Sequence, residues 1–230
     1  MRIFNKESKI EKLIIVLYFA IAAVEITTEM FSYKPLLFVF KPLIPTLLIA
    51  LYWYSSTRRN PLFFVAVTLS LITDVFFISK MESVLFFGLL VLFIHQLVMI
   101  YYISKLIKLK DYIPLLIAMV PFLFVFFYLL SISGETVTRI YYIVIIQNIL
   151  ISILAGITLS QYMMFYEKKD MWLFIFGLLS VTQYFIVFIE KYYLLGSSPI
   201  VFRPMAMMLN TGVYYTFYKF VIETEKLNDY

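Results

Sequence analysis

Eight continuous apolar segments, each 18 to 24 residues long, restrict the fold of this chain more than any other feature. A helix needs ~20 mostly apolar residues to cross a hydrocarbon core ~30 Å thick. Strands of a membrane barrel would be ~10 residues long with alternating polarity, so these longer, continuously apolar segments are predicted to be helices. The fold predicted is an all-α, polytopic transmembrane bundle forming a single membrane domain over residues 1–230. Its eight spans are predicted at 13–30, 35–54, 61–79, 82–103, 112–132, 138–159, 171–190 and 199–222.

Composition excludes the soluble classes of protein. The chain is 63% hydrophobic and 14% charged, against about 45–50% and about 25% in soluble domains. A soluble fold of this size buries only ~70% of its surface, which leaves no place for so many apolar side chains. The absence of cysteine excludes disulfides and thiol nucleophiles, and a single histidine, His95, excludes a multi-histidine zinc site. We therefore predict no metal and no organic cofactor.

The basic residues indicate the orientation of the spans. Thirteen of the 19 Lys and Arg residues fall at the N-terminus, in alternate connections and in the C-terminal tail, whereas four fall on the opposite side. Because cytoplasmic loops are enriched in Lys and Arg, both termini are predicted to be cytoplasmic, in the inner membrane if the source is bacterial. The net charge of +5 then reflects topology, and no nucleic-acid partner is predicted. A cleaved signal peptide ending near Ala22 is the alternative, but it would leave an odd number of spans.

Several polar residues lie inside the predicted spans, where an ionisable group costs ~2.5–3.5 kcal/mol. At a rise of ~1.5 Å per residue, five of them fall at mid-depth or in the outer half of the membrane. We expect these five to form one polar pocket that opens toward the outer leaflet, with His95 nearer the middle. They are Glu25, Lys41, Asp74, Gln183 and Arg203.

Most of these residues also have a structural interpretation. Lys41 could extend its ammonium group to the outer interface, and Glu29 and Glu190 are predicted to be plain interfacial residues. A lone buried histidine such as His95 is more often a hydrogen-bonded core residue than a catalyst. Asp74 has no such alternative, because its side chain is too short to reach water from that depth, and a functional role is favoured for it.

The order and spacing of short motifs resemble the YhhN family of eight-span proteins, which includes the animal lysoplasmalogenases. No single motif is specific, but together they extend over most of the chain. Thr73 stands where the family usually has glycine, and Gln183 stands where it has a second aspartate. The matching segments are Lys41-Pro42-Leu43, Leu69 to Asp74, Phe87-Gly88 with His95, Leu178 to Gln183, and Tyr214-Tyr215 with Phe220-Val221-Ile222.

This resemblance implies hydrolysis of the vinyl ether bond of a lysophospholipid, giving a fatty aldehyde and a glycerophospho-base. An acid must protonate a vinyl carbon, and a carboxylate can stabilise the resulting oxocarbenium ion and help water to attack it. The predicted catalytic set is Asp74, Gln183, Glu25 as a substitute acid, and His95. The predicted substrate-binding set is Lys41, Arg203, Asn210, Asn148 and Tyr214.

A second function from a different class stays open. Gln183 can neither give nor take a proton at neutral pH. A chain that has lost the second catalytic carboxylate would be a non-catalytic binder or transporter of a lipid or amphiphile. Both functions require the same partner, a lipid held within the membrane, and neither specifies an oligomeric state.

Overall fold

The computed structural model describes residues 9–31, 34–78, 81–107, 112–132, 139–165, 167–192 and 201–228. Within these ranges the regular secondary structure is entirely helical, which confirms the predicted all-α fold. The helices are α1 (Lys9–Met30), α2 (Lys34–Ser55), α3 (Pro61–Phe76), α4 (Glu82–Ile107), α5 (Tyr112–Ile132), α6 (Arg139–Met164), α7 (Lys168–Tyr192) and α8 (Phe202–Asn228).

Six of these helices are long and apolar enough to cross a membrane, namely α1, α2, α4, α5, α6 and α7. α3 is apolar but has only 16 residues. α8 is the longest helix, with 27 residues, and carries charged side chains in its last two turns. Several long apolar helices are what a membrane protein requires, and the predicted class agrees with them.

The helix ends differ from the predicted span ends in a consistent direction. α4, α6, α7 and α8 each extend by three to six residues into polar sequence at the end predicted to be cytoplasmic. Hydropathy detects only the apolar part of a helix, whereas backbone hydrogen bonding continues into the polar turns beyond it. α3 begins at Pro61 as predicted, because the Asn60 side chain accepts a hydrogen bond from the Leu62 N–H and proline suits the first turn.

The helices pack as a closed circuit in which α1, α2, α3, α4, α6, α7 and α8 follow one another and α8 returns to α1. α8 also packs against α2, and the ring of Phe217 contacts rings on α3, α4 and α7. The inner face of α8 therefore forms the centre of the main hydrophobic core, with Tyr218, Phe220 and Val221 fully buried.

α5 lies at the periphery, with its principal contacts to α6. Many of its large apolar side chains are exposed, including Ile113, Ile117 and Phe124. By contrast, polar side chains of α6 face inward, and Asn148 and Ser152 have no exposed surface. Apolar faces that point outward and polar faces that point inward are the arrangement expected in a lipid environment.

Candidate functional site

Asp74 is held between α3 and α8. Its Oδ2 atom accepts a hydrogen bond of 2.6 Å from the Tyr214 hydroxyl, which also hydrogen bonds to the Ser70 hydroxyl. Ser70 and Asp74 lie four residues apart, so both face α8 from one side of α3. The sequence predicted this shared face, and the structure identifies Tyr214 as its partner.

Asn210 joins the two positions that carry the family's aspartates. The Gln183 Nε2 atom on α7 donates a hydrogen bond of 3.1 Å to Asn210 Oδ1. Asn210 lies about one turn before Tyr214 on α8, and its side chain lies near Asp74 and Tyr214. Asp74 and Gln183, 109 positions apart in the sequence, therefore both lie beside the Asn210 amide.

Charged side chains from α1 and α2 complete this group. Lys41 Nζ lies 3.5 Å from Glu29 Oε2, and both side chains are buried. Glu25, one turn before Glu29, is also buried and lies within electrostatic reach of Asp74 and Lys41. We call the whole set the Asp74 cluster, and its members are Glu25, Glu29, Lys41, Ser70, Asp74, Gln183, Asn210 and Tyr214.

The expectations for Glu29, Lys41 and Arg203 need correction. Glu29 is not a plain interfacial residue, because close packing of α1 on α2 buries it in an ion pair with Lys41. Lys41 therefore does not extend its ammonium group to an interface. Glu190 accepts a hydrogen bond of 2.7 Å from Arg203 Nε. The Arg203 side chain is 50% exposed, so this arginine lies at the rim of the bundle rather than inside a pocket.

His95 and Asn148 do not join the Asp74 cluster through any described hydrogen bond. His95 lines a cavity of about 20 Å³ whose walls include Tyr214 and Phe217. Its Nδ1 atom is buried without a partner among the residues that the structure describes. Asn148 instead accepts a hydrogen bond of 2.7 Å from the Tyr184 hydroxyl, between α6 and α7. A role of Asn148 in helix packing follows directly from this contact, and its role in substrate binding stays a prediction.

A second buried polar group lies at the other end of the bundle, and sequence reasoning did not find it. Glu225 is 5% exposed, and its two carboxylate oxygens accept hydrogen bonds from the hydroxyls of Tyr52 and Ser56. Glu225 lies beyond the last predicted span, in sequence interpreted as a solvated tail. The signal that could have found it is helical spacing, since Tyr218, Val221 and Glu225 fall on one face of α8.

The chemistry available at the Asp74 cluster is acid–base chemistry. It combines three carboxylic acids, a lysine, a phenol, a serine hydroxyl and two amides in one buried region of the bundle. In the described ranges, no three histidine or acidic side chains are grouped so that they could hold a metal ion. Such a set can donate a proton, accept a proton and stabilise a nearby positive charge.

Comparisons with known proteins add no assignment: no family model, curated protein or solved structure matches the chain. The fold and the site therefore define a class, which is a helical bundle with several helices able to span a membrane and a buried acid–base cluster between α1, α2, α3, α7 and α8. Any narrower function must be argued from the residues of that cluster.

Proposed function

We propose that this chain is an integral membrane hydrolase, similar to the YhhN family, that cleaves the vinyl ether bond of a lysophospholipid. The observation that carries the proposal is the position of Asp74 and Gln183 on either side of Asn210: Gln183 donates a hydrogen bond to Asn210, Asp74 lies near it, and Tyr214 donates a hydrogen bond to Asp74. The motif resemblance in the sequence rests on the same positions in the third and seventh spans. Their proximity is what a shared active site requires.

In the proposed topology all eight helices span the membrane and both termini are cytoplasmic. The distribution of Lys and Arg supports this orientation. α3 is ~24 Å long at ~1.5 Å per residue, and it packs against α2 and α4. The polar end of α8 is compatible with a span, because Glu225 is buried and hydrogen bonded inside the bundle.

The proposed reaction begins with Asp74 in its acid form. Asp74 transfers its proton to the vinyl carbon distal to the ether oxygen, which leaves an oxocarbenium ion beside the new Asp74 carboxylate. Water then adds to the cationic carbon while Glu25 takes one of its protons, giving a hemiacetal. As the hemiacetal collapses, Glu25 protonates the glycerol oxygen and Asp74 recovers the hydroxyl proton, so that aldehyde and glycerophospho-base are released.

Arg203 and Lys41, the two basic residues predicted to bind substrate, have different environments and are proposed to have different roles. Arg203 is half exposed at the bundle rim, and a guanidinium can bind a lipid phosphate with two hydrogen bonds. Lys41 is buried against Glu29 and close to Glu25 and Asp74. Lys41 therefore sets the charge of the cluster, whereas Gln183 and Asn210 orient water or the glycerol oxygen.

A non-catalytic lipid or amphiphile binder, or a transporter, is the second candidate. The observation that favours it is the neutral hydrogen bond between Gln183 and Asn210, because it replaces an acid by an amide at the centre of the site. General acid or base catalysis contributes ~10²–10⁴-fold, so the replacement could abolish turnover while binding is retained.

The experiment that separates these functions is aldehyde release from lysoplasmenylethanolamine by purified protein in detergent. We expect release by the wild type, loss of release in Asp74→Asn, and near wild-type release in Tyr184→Phe, which removes a partly buried hydroxyl that makes no described hydrogen bond to the cluster. Folded wild-type protein that binds the lipid but releases no aldehyde would support the binder or transporter. Full activity in Glu25→Gln would remove Glu25 from the mechanism.

A further inference from the structure

The short turn between α2 and α3 has a locally strained, well-held backbone. Arg59 has a φ of 46°, in the left-handed region that residues other than glycine rarely adopt. Its N–H donates a hydrogen bond of 2.9 Å to the Ser56 hydroxyl oxygen. Asn60, the next residue, caps the N-terminus of α3 with its side chain. A conformation of this kind persists only where the surrounding structure stabilises it.

The stabilisation comes from the buried Glu225 group beneath the turn. The Asn60 N–H donates a hydrogen bond of 2.9 Å to the Tyr52 hydroxyl oxygen, and Tyr52 in turn donates to Glu225. Ser56 donates to the other Glu225 oxygen. Both ends of the turn are therefore linked to one carboxylate on α8, which fixes the direction in which the turn presents its side chains.

The fixed turn presents arginine side chains beside exposed aromatic rings. The Arg59 guanidinium lies 4.3 Å from the centre of the Trp53 ring, and Trp53 and Tyr54 are 49% and 64% exposed. Arg58 and Arg59 are themselves exposed. Amphipathic aromatic residues sit at the headgroup level of a bilayer, and guanidinium groups bind phosphate oxygens in pairs.

Three lysines of the neighbouring helices α7 and α8 are paired with carboxylates. Lys168 and Lys226 both contact Glu223, and Lys169 contacts Glu167. In the part of the chain that the structure describes, the contact of the Arg59 guanidinium is instead an aromatic ring, which leaves its N–H donors able to bind an anion. Negative charge therefore lies beside these three lysines, and the turn is a more favourable place than their surroundings for an anionic ligand.

We propose that the α2–α3 turn is a binding site for an anionic phospholipid of the cytoplasmic leaflet. Arg59 binds the headgroup phosphate, the exposed Arg58 adds positive charge beside it, and the exposed rings of Trp53 and Tyr54 contact the glycerol region and the upper acyl chains. Glu225 acts as a positioning residue that holds the turn in its binding conformation. The proposal rests on the cytoplasmic orientation proposed above but not on the hydrolase activity.

The two tryptophans make a direct test available. Trp172→Phe leaves Trp53 as the single tryptophan of the chain, and a bound brominated lipid quenches its fluorescence. In nanodiscs, we expect brominated phosphatidylglycerol to quench Trp53 several times more effectively than brominated phosphatidylcholine. Arg58→Gln and Arg59→Gln should each lower this preference about fivefold, the factor expected for one basic residue at an anionic surface. The matched control is Lys226→Gln, which removes a paired lysine and should leave the preference unchanged.

Several outcomes would overturn the proposal. Equal quenching by the two lipids, or no quenching by either, would show that Trp53 has no anionic lipid beside it. If Lys226→Gln lowers the preference for phosphatidylglycerol as much as the arginine variants do, the preference reflects diffuse surface charge rather than a site. If millimolar inorganic phosphate abolishes the preference, the turn binds a soluble anion rather than a lipid. Aldehyde release by the same arginine variants should equal that of the wild type, so failure of this proposal and failure of the hydrolase are distinguishable.

Discussion

At the scale of single residues, the hydrogen bond from Tyr214 to Asp74 is the contact most open to test. Tyr214→Phe removes only the hydroxyl, which bonds to both Asp74 and Ser70. A hydrogen bond to a charged group contributes ~1.5–3 kcal/mol, so we expect aldehyde release to fall about tenfold or more. The measurement is the initial rate of release at saturating lipid.

Tyr184→Phe is the matched control for Tyr214→Phe, because it also removes a tyrosine hydroxyl that donates a hydrogen bond to a side chain, in a partly buried position. It should destabilise the protein to a similar extent and leave the rate of aldehyde release near that of the wild type. Equal rates in both variants would contradict a specific role of Tyr214 at Asp74.

The buried pair of Lys41 and Glu29 gives a second prediction at this scale. Removing one partner leaves a buried charge without compensation, which costs ~3–5 kcal/mol, whereas removing both is often close to neutral. We therefore expect Lys41→Met and Glu29→Leu each to lower the thermal unfolding temperature in detergent. The double variant should recover much of that loss.

Comparing the single and double variants isolates the interaction between Lys41 and Glu29 from their other contacts. A double-mutant cycle of these four proteins yields the coupling free energy between the two side chains. Additive losses would mean that the 3.5 Å contact contributes nothing to stability, and that Glu29 is the interfacial residue that its sequence position suggested.

At the scale of elements, the contact between α6 and α7 depends on a glycine. A Cβ atom on Gly177 would lie 2.6 Å from Thr158 Cβ, closer than two carbon atoms can pack. Small residues at such crossings allow helices in a membrane to approach closely. We therefore expect Gly177→Ala to destabilise the protein by ~1–3 kcal/mol, the usual cost of overpacking, as measured by thermal unfolding in detergent.

Gly212→Ala is the control for this helix crossing. Its added Cβ would meet only the Leu179 Cδ1 atom, at 2.9 Å, and a flexible leucine side chain can move away. Combining Gly177→Ala with Thr158→Gly should restore stability, since it removes the opposing side chain. If Gly177→Ala is as stable as the wild type, the two helices do not approach as closely as described.

At the scale of the whole molecule, the absence of cysteine makes the proposed topology directly testable. Single cysteines at Lys105 and Lys226 are predicted to face the cytoplasm, and a cysteine at Val201 to face the opposite side. All three positions are exposed. A membrane-impermeant maleimide added to intact cells should therefore label only the Val201→Cys protein, and should label all three after permeabilisation.

Labelling of Lys226→Cys in intact cells would place the C-terminus outside the cell. The chain could then not combine a cytoplasmic N-terminus with an even number of spans. Labelling of all three variants without permeabilisation would exclude the proposed orientation altogether. Neither outcome would change the helical fold, because the helices and their contacts do not depend on which end of the bundle faces the cytoplasm.

Much of the fold could be predicted because membrane helices follow from composition and length. The apolar segments identified all eight helices, and the third segment was predicted to begin at Pro61, where α3 begins. The ends of α4 and α8 could not be predicted in the same way. Lys105 and Glu225 are charged, and hydropathy cannot distinguish a polar turn that continues a helix from one that ends it.

The candidate site was predicted in part. Depth along the spans grouped Glu25, Lys41 and Asp74 at one level, and the structure brings them together. The direction in which a polar side chain faces was harder to predict: Asn148 lies with Gln147 in an otherwise apolar segment, as a cluster residue could, yet it accepts a hydrogen bond from Tyr184. His95 likewise lies beside a small cavity, without a described hydrogen bond to the cluster.

By itself the sequence determined that this chain folds into helices with several long apolar spans, and that ionisable groups would have to be gathered inside the bundle. Both conclusions follow from the cost of exposing backbone and charge to hydrocarbon, which acts locally along the chain. Only the tertiary structure decided which partners those groups have, such as Glu29 for Lys41, Tyr214 for Asp74 and Tyr52 for Glu225. Partner choice depends on how helices distant in sequence rotate and cross, and that rotation is set by packing over the whole bundle.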